Sequence, residues 1–224
     1  MSAAPPVLHL SSVSKAYQSP GGSTIVLAGV DLTIEPGEKV SLMGPSGSGK
    51  STLLSLISGL LRPDAGRVEI DGAAMADLDD GQRSTLRSHR LGIALQSENL
   101  IPFLSARENV ELALGFGRRR RGTSKGRAKQ LLDRLGVAHR GDHLPRQLSG
   151  GEAQRVALAV AIANEPVLLL ADEMVSALDT ATAARIVEDV FSTEMAVLFV
   201  THDAALADRA ERRLILHDQK VLPR

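Results

Sequence analysis

Apolar and polar positions alternate in different rhythms along the 224-residue chain. Near the start, short β-rich runs (Val7 to Val13, Ile25 to Leu27, Leu32 to Ile34) are separated by Pro20-Gly21-Gly22 and closed by Glu35-Pro36-Gly37. Such runs, bounded by turn residues, predict an antiparallel edge. Val40-Ser41-Leu42-Met43 then reads as a short buried strand, and Leu53, Leu56, Ile57 and Leu60 fall on one face of a helix. Arg62-Pro63-Asp64-Ala65-Gly66 stops that helix and turns into Val68-Glu69-Ile70, and Leu91 to Leu95 is the next strand. From about Ser105 to Ala163 the period is helical, punctuated by Pro102, Gly115-Phe116-Gly117 and Gly122, with one helix over Ala128 to Leu135 closed by Gly136 and another from about Glu152. After Pro166 the strand-helix alternation returns. Val167 to Ala171 is uninterruptedly aliphatic, as expected of a parallel strand covered on both faces. A helix from Thr180 to Phe191, a strand from Val197 to Val200, a short helix from Ala204 to Arg209 and a strand from Leu214 to Leu216 complete the pattern. The expected fold is α/β: one domain over 1–224, with a core of 1–96 and 165–224 and a helical subdomain at 97–164 set into it.

Composition narrows the function classes. The 26 basic and 26 acidic residues balance, which argues against a bulk nucleic-acid binder. The basic run Arg118 to Arg121, continued by Lys125 and Arg127, has no interleaved aromatics and reads as a solvated loop. With no cysteine, disulfides and thiolate metal sites are excluded. The N-terminus lacks a signal-peptide pattern, and the longest apolar run, Val156 to Ala163, is too short to span a bilayer. The expected location is therefore cytosolic, with the membrane reached only through a partner.

Chemistry concentrates at Gly44-Pro45-Ser46-Gly47-Ser48-Gly49-Lys50-Ser51-Thr52, which matches G-x-x-x-x-G-K-[ST] between a strand and a helix. Glycines let the backbone wrap a phosphate chain with its N–H groups pointing inward, and the following helix adds the positive end of its dipole. Lys50 is placed to neutralise β- and γ-phosphates, and the Ser51 hydroxyl to ligate Mg²⁺. A plain Gly/Ser turn would need neither the lysine nor the spacing. Asp172 and Glu173 close the aliphatic strand, where open α/β sheets bind ligands; Asp172 can hold Mg²⁺ and Glu173 can polarise an attacking water. Ser149, Gly150 and Gly151, just before a helix, form a second N–H nest without a lysine. Tyr17, the chain's only tyrosine, is either a half-buried strand-end residue or a stacking face for a purine.

With Gln154 and Arg155 attached, Leu148-Ser149-Gly150-Gly151-Glu152 resembles the signature motif of ATP-binding cassette (ABC) ATPases, and the resemblance then covers essentially the whole chain. Pro166 to Asp172 looks like that family's Walker B strand, Gln96 like its Q-loop glutamine, Ser176-Ala177-Leu178-Asp179 like its D-loop and His202 like its switch histidine. Tyr17 looks like its adenine-stacking aromatic. The resemblance implies a P-loop NTPase (RecA-like) core, ATP and Mg²⁺ as ligands, His202 at the γ-phosphate and Gln96 at the metal. It also implies a head-to-tail homodimer in which one subunit's Ser149 to Gly151 closes on the other's ATP. Met174 and Val175 stand where the family usually has a proline-led turn, which predicts a looser entry to the D-loop; Val160 replaces a common arginine, and Leu95 a frequent aromatic. The segment Asn99 to Val110 resembles the lipoprotein-release and macrolide-efflux type, whose ATPase drives a separate permease. An ATP-driven signalling or scaffolding subunit that moves no solute would need the same motor.

Overall fold

A computed structural model describes residues 5–19, 22–95, 100–117 and 124–224. Its strands form two sheets. The first is antiparallel in the order β2-β1-β4-β5, built from β1 (Leu8–Ser19), β2 (Gly22–Ile34), β4 (Ala65–Ile70) and the two-residue β5 (Ala73–Ala74). β2 is one strand where the apolar runs predicted two. The polar gap is absorbed as irregular pairing: Gly29 takes a φ of +63° and its amide donates to Ser14 Oγ at 2.8 Å, while the β1–β2 register slips between Leu10 and Val13 and twice more before Ala16.

The second sheet has the order β10-β9-β3-β8-β7-β6, from β3 (Lys39–Met43), β6 (Leu91–Leu95), β7 (Leu168–Asp172), β8 (Ala196–Val200), β9 (Arg212–His217) and β10 (Lys220–Pro223). Only β10 runs antiparallel to its neighbour. Because side chains alternate along a strand, one sheet feeds two cores. Leu168, Leu170, Leu198 and Val200 pack toward α1 (Lys50–Ile57) and the antiparallel sheet. Leu169, Ala171, Val197 and Phe199 pack toward α3 (Ala106–Gly115), α4 (Ser124–Arg134), α5 (Gly150–Ile162) and α6 (Thr180–Phe191).

Several elements differ from the expectation. Helix α2 (Asp80–Arg90) has no apolar stripe to announce it: Arg83 is its one buried residue, and a capping box between Asp79 and Gln82 starts it. Leu60, expected on the apolar face of α1, is 62 % exposed because the helix ends at Ile57 and Gly59 turns the chain at φ +66°. α7 (Ala204–Ala207) stops short of Arg209, and β9 continues through Asp218 and Gln219, both at positive φ, into the unpredicted β10. The basic run at 118–121 lies outside the described residues. Among the described residues, no helix is long and apolar enough to cross a membrane.

Candidate functional site

The phosphate-cradle sequence emerges from β3 and enters α1, as the pattern predicted. Its shape depends on absent side chains. A Cβ on Gly44, at φ +151°, would meet the Leu216 carbonyl oxygen at 2.5 Å, and one on Gly49, at φ +104°, would meet Val26 Cγ1 at 2.6 Å. Gly49 caps α1 without any side-chain bond, so the first amides of the helix have no capping acceptor and face the loop. Lys50 is buried, with Nζ donating to the Gly44 and Pro45 carbonyls at 2.8 Å each. Burial pulls its ammonium below the usual lysine range, against the opposing pull of Asp172 and Glu173.

A cleft of about 410 Å³ opens over this loop. Ser46, Gly47, Gly49 and Lys50 to Thr52 form one wall; Asp172, Glu173 and His202 form the other, and Val26 closes an end. Parallel strand order explains the second wall: β8 lies between β3 and β7, so the ends of all three strands converge there. Asp172 Oδ2 accepts from Ser51 Oγ at 3.4 Å. Burial pushes the Asp172 carboxyl above its ordinary pKa, with the Glu173 charge adding to the effect and Ser51, Lys50 and His202 opposing it. Glu173 turns the other way, to 3.8 Å between its Oε1 and His202 Nε2. It does so at a φ of +51°, a left-handed backbone that costs a non-glycine residue roughly 1 kcal/mol or more.

The donor set fits Mg²⁺ and a triphosphate. Ser51 and Asp172 present two hard oxygens side by side, leaving other coordination positions to phosphate and water. Ser48 Oγ is buried in the cradle without a protein partner, a polar atom that an anion's oxygen or its water would satisfy. Among the described residues no cluster of three His, Asp or Glu side chains competes as a metal centre.

The second nest lies outside this cleft: Ser149, Gly150 and Gly151 do not line it. Ser149 caps α5 with a reciprocal box, its Oγ accepting from the Glu152 amide at 3.2 Å and its own amide donating to Glu152 Oε2 at 2.8 Å. The helix therefore begins at Gly150, not Glu152. Arg140 Nε donates to Glu152 Oε1 at 2.8 Å, and the Ser149 amide and Arg140 together hold that carboxyl down to about 2. Tyr17, 44 % exposed and paired with Thr24, also stays outside the cleft lining. Gln96 lies outside the described residues. Met174 is buried, and the turn after Glu173 is tied by bonds from the Ser176 amide to the Glu173 carbonyl and from the Leu178 amide to the Val175 carbonyl, each 3.1 Å; it is not loose. Sequence reasoning missed Val26, which reaches the site through strand pairing that no local pattern encodes. It also gave Gln154 no role, although Gln154 sits on the helix face of Gly150 and Gly151.

Three comparisons place this geometry among known proteins. Residues 27–176 match the family model described as ABC transporter. The chain is 42 % identical over 217 residues to the lipoprotein-releasing system ATP-binding protein LolD 2 of Caulobacter vibrioides, covering 95 % of each chain. It is 41 % identical over 216 residues to the macrolide export ATP-binding/permease protein MacB of Rhodopseudomonas palustris, covering 95 % of this chain and 33 % of that longer one. Among solved structures it resembles a dimeric post-hydrolysis ATP-binding cassette bound to ADP and phosphate, with a TM-score of 0.90, 40 % identity and 96 % of each chain covered.

Proposed function

The chain belongs to the ABC transporter family, and from that premise we propose that it is the ATP-hydrolysing subunit of a transporter of the lipoprotein-release and macrolide-efflux type. It works on the cytoplasmic face of a membrane through a separate permease, as a homodimer with ATP between subunits. The observation that carries this reading is a split site: Lys50, Ser51, Asp172, Glu173 and His202 share one cleft, while Ser149 to Gly151 lie outside it. A second protomer brings its nest to that cleft only by docking head to tail.

In this reading the loop amides and Lys50 bind the β- and γ-phosphates. Ser51 and Asp172 would hold Mg²⁺, which would supply charge neutralisation of the triphosphate. Glu173 takes a proton from the attacking water, and His202, beside it, donates toward the γ-phosphate. Tyr17 would offer a ring to the adenine, and Gln96, by the family resemblance, would join Ser51 and Asp172 in holding the metal. ATP favours the closed pair by differential affinity, and loss of the γ-phosphate reopens it.

The test is Glu173→Gln with saturating ATP and Mg²⁺. Turnover should fall at least about 100-fold, the range expected for losing a general base, and size-exclusion chromatography should show dimer only with nucleotide. Protomers alone at saturation would refute the split site; unchanged turnover would refute Glu173 as the base.

A further inference from the structure

The nest and the base of one subunit belong to different ATP sites in the proposed dimer, yet within the chain they are wired together. Gln154 lies one turn below Gly150 and Gly151 on the same face of α5. Its Nε2 donates to the Glu173 main-chain carbonyl and lies 3.3 Å from Ser176 Oγ, while its Oε1 accepts from the Ala177 amide at 3.2 Å. The partners fix the amide orientation, since a carbonyl can only accept and an amide N–H only donate. A second contact runs in parallel: a Cβ on Gly151 would meet the Ala177 oxygen at 2.9 Å and Leu178 Cδ2 at 2.9 Å, so the first turn of α5 rests directly on the D-loop segment.

The receiving end is the strained residue. Glu173 holds its left-handed φ between two backbone anchors, its amide donating to the Val200 carbonyl at 3.0 Å and its carbonyl accepting from the Ser176 amide at 3.1 Å, from Ser176 Oγ at 3.1 Å and from Gln154. A conformation that is costly by itself persists only when its surroundings enforce it. Met174, in place of a proline, leaves that enforcement to these bonds. A small displacement of α5 therefore changes the aim of the Glu173 carboxylate.

We propose that Gln154 is a positioning residue that couples a subunit's signature nest to its own catalytic glutamate, so that ATP gripped by the nest at one site aligns the base at the other. The inference rests on the split-site reading. It predicts positive cooperativity that lives in the catalytic step, with binding left intact.

Full-length Gln154→Leu and Gln154→Glu test it. Leucine removes all three bonds at similar size; glutamate keeps the acceptor for Ala177 and replaces the donor to Glu173 and Ser176 with a second acceptor. Steady-state turnover against ATP should show the parent with a Hill coefficient above 1, and both variants with kcat about 10-fold lower, unchanged half-saturating ATP and a Hill coefficient near 1. ATP-driven dimerisation, read in the Glu173→Gln background, should match the parent, and thermal unfolding should stay within a few degrees. If Leu fails to fold, Glu alone carries the test. A parent that hydrolyses cooperatively while the folded variants keep its kcat and Hill coefficient overturns the inference alone. Variants that lose dimerisation in step with kcat overturn it too, because Gln154 would then only hold the nest. A Glu173→Gln parent that never dimerises overturns the split site and this inference with it.

Discussion

At the scale of single residues, the site sets charge against burial. Asp172 stands beside Glu173 in a half-desolvated cleft, and both effects favour its neutral form. A carboxyl whose folded pKa exceeds its unfolded value costs stability once the pH rises above both, and costs nothing below the unfolded value. At neutral pH that cost is in force, reduced by Ser51, Lys50 and His202, and a bound cation would offset it further. Asp172→Asn should therefore melt at or above the parent's temperature at pH 7 without Mg²⁺, while losing Mg²⁺-dependent turnover. Calorimetry paired with an ATPase assay checks both halves; a clear drop in Tm would mean that the Ser51 bond outweighs desolvation. Lys50 faces the same conflict with the opposite charge. Its ammonium sits on two loop carbonyls, which phosphate oxygens would replace in the proposed function.

At the scale of elements, helix starts do the positioning. α2, α3 and α5 each open with a reciprocal capping box, whereas α1, at the phosphate cradle, opens on an uncapped glycine. The α5 box takes up the Ser149 and Glu152 amides and not those of Gly150 and Gly151, so it fixes the helix start beside the proposed nest, whereas the bare start of α1 leaves its first amides to the cradle. Glu152 anchors α5 by accepting from Ser149 and Arg140, with its carboxyl held at about 2 against an ordinary 4.5. A depressed carboxyl stabilises fully above its unfolded pKa, and that stabilisation disappears as the pH falls from about 4.5 through about 2. Glu152→Gln should thus cost on the order of 1–2 kcal/mol at pH 7, as for a charge-assisted hydrogen bond. Urea midpoints of the two proteins should converge as the pH drops through that window; a constant difference would assign the loss to geometry instead of charge.

The same elements mark what a linear pattern conveys. The cradle, the aliphatic β7 leading to Asp172-Glu173 and the Ser149-Gly150-Gly151 stretch were legible because their chemistry lies in adjacent residues, although the start of α5 was placed two residues late. α2 was not, because its stability comes from a cap and a single buried Arg83 in place of a periodic stripe. The β9–β10 hairpin was hidden because Asp218 and Gln219 make its turn without the usual glycine. Val26 and Gln154 meet the cradle and the segment after Glu173 through contacts that only the folded chain creates. Local spacing names the groups that bind; it does not say which neighbours aim them.

At the scale of the whole molecule, the six-stranded sheet is a shared wall. Phe199, fully buried, faces the helical side with its ring 5.5 Å from that of Phe191, and Leu198, the next residue on the same strand, faces the α1 side. A core that belonged to the helices alone could unfold separately from the nucleotide-binding sheet. Here consecutive residues of β7 and β8 serve both sides, so loss of either packing removes support from the strands of the other. Truncating Phe199 to Ala should cost about 3–5 kcal/mol and Leu198 to Ala about 2–5 kcal/mol, the usual range for fully buried side chains. Both variants should lower one common calorimetric transition, with near-ultraviolet and far-ultraviolet signals melting together. Two resolved transitions, with Phe199→Ala moving only the first, would mean that the helices form an independent unit. A single transition carries a functional consequence: a helical side that unfolds only together with the sheet stays packed while nucleotide is bound and released. Force generated at the γ-phosphate then reaches a membrane partner without being lost in local melting.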